Sequence, residues 1–113
     1  MNYRNKMSGG VDSHVHFWSY SESAYPWMGA AHAPIKRSFL PADWLAASAG
    51  TGVASLVAVQ ARQVEEETDF LLGLADAHPF IRGVVGWVDL RAPVDAVRAA
   101  LARLAAHPRL VGV

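Results

Sequence analysis

Residues 53–59, VASLVAV, and 81–88, IRGVVGWV, are nearly continuous apolar runs, and each leads into a segment whose apolar residues recur at helical spacing. Runs of this kind suit parallel strands covered on both faces, because a strand open to water on one side alternates instead. The first run is followed by VEEETDFLLGLADAH, where Phe70, Leu71 and Leu74 form a stripe behind a Glu cluster that suits a helix N-terminus. The second is followed by PVDAVRAALARLAAH, with Val94, Val97, Leu101 and Leu104 on one stripe. Upstream, PADWLAASA opens on Pro41, which suits a first helical turn, and stops at Gly50, which suits the position just past a helix. An internal echo supports the division: AHPFIRGVV at 77–85 and AHPRLVGV at 106–113 each close a helix and open a strand.

Strands and helices alternating over short connections predict a parallel sheet with helices packed outside it. Two α/β architectures satisfy that pattern, a doubly wound sheet and a (β/α)8 barrel. Four strands and three helices are legible, whereas a barrel has eight of each over about 250 residues. The expected fold is therefore part of a TIM (β/α)8 barrel: residues 11–113 form its N-terminal half, cut in the fourth strand, and residues 1–10 form a flexible extension. Such an arc leaves a strand edge open, which favours self-association.

Half of the 113 residues are hydrophobic, four are Trp, and ten basic residues balance ten acidic ones without a long block of either sign. That composition predicts one globular unit and argues against nucleic acid as a partner. There is no Cys, which removes disulfides, thiolate metal sites and cysteine nucleophiles. No apolar run approaches membrane-spanning length, and MNYRNKMSGG is not followed by a signal-type apolar segment. A soluble, cytoplasmic protein with no membrane partner is expected.

The stretch VDSHVHFW at 11–18 carries the sharpest chemical signal. In a strand, Val11, Ser13, Val15 and Phe17 fall on one face and Asp12, His14 and His16 on the other. Imidazoles two residues apart stand roughly 6.5–7 Å from each other at Cβ and can converge on one ion. Zinc and similar divalent metals bind neutral imidazole and acidify a bound water. The plain alternative is two histidines filling polar strand positions. A long loop, residues 18–37, follows the pair, which puts it at the C-terminal strand end where parallel α/β folds keep their sites.

Other positions carry paired readings. Gln60 and Arg62 close the second strand, where they can bind a substrate oxygen or carboxylate, or serve as solvated loop groups. Asp89 ends the third strand and can contact substrate or organise the mouth, while Trp87 reads as core. Trp27, with Tyr25 and Pro26 in the first loop, can cover a pocket or simply pack. Asp12 reads as a supporting residue. His78 and His107 sit at helix ends, where the dipole favours them. His32 is undecided, and Asp69 with Glu65, Glu66 and Glu67 reads as a solvated helix start.

The ordered series VDSHVHFW, YPWM at 25–28, LPADWL at 40–45, LVAVQAR at 56–62, EET at 66–68, FLLGLADAHPFIRGVVGWVDL at 70–90 and LAAHPRLVGV at 104–113 resembles the amidohydrolase-related family. The similarity is to the branch of sugar lactonases and 2-pyrone-4,6-dicarboxylate lactonase, and it runs from Val11 to the last residue. The resemblance implies that His14 and His16 are two metal ligands, with zinc or manganese as the ion, although some related lactonases use these histidines on substrate without metal. It places further ligands and the general base on later strands. It implies a small-molecule substrate, a lactone or a carboxylated ring, opened by an activated water. Two alternatives stand beside this: an amidohydrolase-related decarboxylase or hydratase, and a truncated product without activity.

Overall fold

A computed structural model of the chain describes residues 9–113. Four strands, β1 (Gly10–Val15), β2 (Val53–Val59), β3 (Ile81–Val85) and β4 (Leu110–Gly112), alternate with three helices, α1 (Pro41–Ser48), α2 (Glu65–Ala77) and α3 (Val94–Ala105). Residues 1–8 of the expected extension lie outside the described residues, and Gly10, the last residue of that extension, opens β1 opposite Val53.

All neighbouring strands run parallel, in the order β1-β2-β3-β4. That order decides between the two architectures. A doubly wound sheet reverses its strand order and carries helices on both faces, whereas here each crossover steps the same way. All three helices also bury against one face. A single core joins Leu56 and Ala58 of β2 and Ile81 and Val84 of β3 to Leu71, Leu72 and Ala75 of α2 and Leu104 of α3, with Trp44 of α1 packed on it. The other face carries Val57, Gly83 and Val111, where a Cβ on Gly83 would stand 3.1 Å from Val111 Cγ1 and 3.7 Å from Val57 Cγ2. The fold is a four-stranded arc of a (β/α)8 barrel.

Several local expectations shift. The buried stripe of α2 is Thr68, Leu71, Leu72 and Ala75, joined by Glu67, so the Glu run is only partly solvated. Val94, expected on the inner stripe of α3, is 68% exposed because it lies in the first turn, beyond the sheet. Ladder pairing of β3 stops at Val85, leaving 86–89 as a strand-end segment. The long first loop holds a short 3-10 helix, Ala30–Ile35. Its base is closed by an antiparallel bridge between Trp18 and Phe39, and the Trp18 ring packs on Phe39 and Tyr25. Gly50 ends α1 at φ +76°, a conformation that side chains with a Cβ adopt only with strain.

Candidate functional site at the strand ends

β1 does not keep a simple alternation. Its register slips between Asp12 and Val15, where Asp12 lies opposite Leu56 and Val15 opposite Ala58. Within the slip the Asp12 carboxylate accepts the His14 backbone N–H at 3.3 Å. The two imidazoles nevertheless converge, with His14 Nε2 3.2 Å from His16 Nε2 and ring centroids 4.8 Å apart. His16 Nδ1 lies 3.0 Å from the Val59 carbonyl oxygen. A carbonyl only accepts, so this bond requires a His16 proton on Nδ1, and in the neutral ring that leaves an electron pair on Nε2.

That arrangement fits a divalent ion. Two nitrogens each about 2.0–2.1 Å from a tetrahedral zinc stand about 3.3 Å apart, close to the observed separation. A backbone carbonyl fixing the outer nitrogen is one of the common second partners of a metal-binding histidine. Among the described residues no cluster of three or more His, Cys, Asp or Glu is suitably placed for a metal, so the pair could supply at most two of the three protein ligands a catalytic zinc uses.

Beside His16 lies a cavity of about 420 Å³ lined by Trp18, Trp27, Ile35, Gln60, Ala61 and Gln63. Gln60 and Trp27 thus share a cavity with His16. Trp27 is 53% exposed, and its ring packs edge-on against His32 at 5.3 Å, while His32 Nδ1 accepts the Gly29 N–H at 3.0 Å. Arg62 faces a neighbouring cavity of about 480 Å³ that Trp27 also lines, with its guanidinium 5.6 Å from the centre of the Tyr25 ring. Asp89 lies apart, in a cavity of about 340 Å³ with Trp87 and Arg91, and its carboxylate accepts from the Arg91 backbone N–H at 3.0 Å and from Nε at 3.3 Å. His78 and His107 stand away from these cavities: His78 packs on Phe80, and His107 Nε2 meets Asp76 at 2.8 Å.

Gln63 lines all three cavities and is the residue the sequence reading missed; its position just past a strand end was the only available signal. Glu67 is a second correction. It is 3% exposed, and its Oε2 accepts the Ala61 N–H at 3.2 Å. Burial pushes its carboxyl above the usual range, against the lowering effect of the Ala61 and Arg62 N–H groups and the Arg62 charge. The neighbouring Tyr25 hydroxyl is pushed up to about 12, first by burial and then by the Glu67 charge, with Arg62 opposing. The spacing Thr68, Leu71, Leu72, Ala75 is a helical i, i+3, i+4, i+7 stripe, which identifies this side of α2 as buried.

A family model described as amidohydrolase matches residues 11–113. The chain belongs to the amidohydrolase family. It is 44% identical over 90 residues to an L-fucono-1,5-lactonase of Burkholderia multivorans, covering 80% of this chain and 30% of that one. It is 36% identical over 110 residues to an L-fucono-1,5-lactonase of Burkholderia ambifaria, covering 95% and 36%. An amidohydrolase of Burkholderia multivorans crystallised with bound zinc superposes with a TM-score of 0.74 at 43% identity, over 82% of this chain and 33% of that one. A crystal structure of the amidohydrolase with bound HEPES gives 0.77 at 40% identity, over 85% and 33%. This amidohydrolase chain therefore spans about a third of the length of the relatives it matches. No helix among the described residues is long and apolar enough to cross a membrane.

Proposed function

We propose that this chain carries the first part of a lactonase active site, in which His14 and His16 hold a divalent metal ion beside a pocket for a sugar lactone. The observation that carries the reading is the convergence of the two Nε2 atoms to 3.2 Å at a strand end. The L-fucono-1,5-lactonase relatives support the substrate class, and the zinc-bound amidohydrolase supports the metal. When bound, such an ion polarises an ester carbonyl and acidifies water.

The chain's own residues do the positioning. The Val59 carbonyl holds the His16 ring through Nδ1–H, which keeps its Nε2 pair aimed toward His14. Trp27 and Trp18 line the cavity with apolar surface suited to the apolar side of a sugar, and Gln60 and Gln63 offer amide donors and acceptors to its hydroxyls. In the reaction, water adds to the lactone carbonyl and the ring C–O bond breaks, giving the open hydroxy acid. A third ligand and a general base belong to the length of the relatives that this chain does not span. A small-molecule substrate and a cytoplasmic setting go with this reading. Among the described residues β4 pairs with β3 alone, and that free edge supports pairing between chains.

Zinc titration followed by calorimetry tests the site. One ion per chain is expected, with affinity falling at least about tenfold in His14→Ala or His16→Ala; unchanged binding in both variants would overturn the assignment. Calorimetric binding of L-fucono-1,5-lactone, set against binding of carboxylated aromatic acids, separates the lactonase reading from the decarboxylase one.

A further inference from the structure

Glu67 and Thr68, adjacent in the first turn of α2, are the two buried polar side chains among the described residues, at 3% and 0% exposure. Side chains in a first turn ordinarily serve the helix's own N–H groups or solvent. These two instead reach sideways to different strand ends. Glu67 Oε2 accepts the N–H of Ala61, two residues past the end of β2. Thr68 Oγ1 accepts the Trp87 N–H at 2.8 Å and donates to the Trp87 carbonyl at 3.1 Å, two residues past the end of β3.

At both places the strand ladder is ending and the backbone needs new partners. Gly86 still donates to Gly112 in β4 at 2.9 Å, and one residue later both polar groups of Trp87 are satisfied by a single hydroxyl. The sequence makes room for that hydroxyl with Gly86, where a Cβ would lie 2.4 Å from Thr68 Cγ2 and 2.6 Å from its Oγ1. Hydrogen bonds gain strength in a buried, low-dielectric setting, and the one that a Glu67 carboxylate accepts from Ala61 is charge-assisted as well.

We propose that Glu67 and Thr68 are positioning residues, a two-pronged brace that sets the strand-end segments 60–63 and 87–89 at a fixed separation around the mouth of the site. The inference rests on the lactonase reading for what those segments bind, and on geometry alone for how they are held. Both prongs come from one helical turn, so the separation between the segments follows from the spacing of two consecutive side chains. Gln63 stands at the junction, lining the cavity of Asp89 and Trp87 as well as that of His16 and Trp27. The brace thus sets which groups converge on a substrate without touching it.

Amide hydrogen exchange on the full chain, read residue by residue by NMR, tests the brace. Thr68→Val is expected to speed exchange at Trp87 by roughly tenfold or more while Ala61 changes by less than about twofold, and Glu67→Ala is expected to do the reverse. Thr68→Ser and Glu67→Gln keep an acceptor oxygen in place and are expected to retain protection at both amides. Equal acceleration across β2 and β3 in the single variants, or unaltered rates at Ala61 and Trp87, overturns the proposal. If Thr68→Val does not fold, loss of Trp87 protection in Thr68→Ser overturns it. In titrations with L-fucono-1,5-lactone, Glu67→Ala and Thr68→Val are expected to weaken binding several-fold, with rescue by the conservative variants. A chain that binds no L-fucono-1,5-lactone counts against the lactonase reading, and the exchange rates still decide the brace.

Discussion

The end of β1 and the ends of β2 and β3 hold their functional groups in opposite ways. At β1, His14 and His16 are exposed, and the His16 ring is tied to the fold through a bond to the Val59 carbonyl. At β2 and β3 the backbone itself is gripped by side chains with almost no exposure, Glu67 and Thr68. The difference separates two tasks. Groups that meet a ligand must remain open to it, whereas the segments that aim them gain from bonds made in a low-dielectric interior. On the proposed reading, stability and function reside on different residues at different strand ends, and substitutions can tell them apart.

The most severe break comes from the platform beneath the brace. Leu71 of α2 is fully buried in the core, so Leu71→Ala is expected to cost about 2–5 kcal/mol in urea denaturation. A smaller loss tests the close approach at β3. Gly86→Ala forces its new Cβ into Thr68 and is expected to cost about 1–3 kcal/mol, with Trp87 amide protection falling in parallel.

The Tyr25 environment sharpens the contrast through pH. Its folded pKa is raised from 10.0 to about 12, so its contribution to stability is present below pH 10 and is lost as pH rises toward 12. Tyr25→Phe should lose less stability than the parent chain across that window, measured by thermal unfolding at stepped pH. The mildest effect on stability is expected at the exposed pair. His14→Ala should change unfolding free energy by less than about 0.5 kcal/mol while weakening zinc binding, which is the signature of a residue held for its ligand.

Much of this arc was legible in the sequence. The apolar run at 53–59 coincides with β2, and the echo around His78 and His107 marks where β3 and β4 begin. Pro41 and Gly50 bracket α1 as expected. Such features are local: a covered strand must be apolar throughout, and a helix end needs a residue suited to its dihedral angles. The spacing of His14 and His16 was legible, since residues two apart in extended chain share a face, but β1 slips register before Val15 and ends there, so the convergence of the two rings is set by the tertiary structure.

What the sequence by itself determined is the order and type of the elements, the histidine pair, and membership of a parallel α/β architecture. Only the tertiary structure decided that the crossovers all step the same way, because strand order depends on which helices share a core, and period alone does not encode that. It also decided that Glu67, which reads as a solvated charge, is buried beneath a strand-end loop, and that Gln63 rather than Asp89 stands next to the histidine cavity. These outcomes depend on contacts between segments distant in sequence. A carboxylate's burial is set by the backbone N–H groups that come to meet it, here from the end of a neighbouring strand.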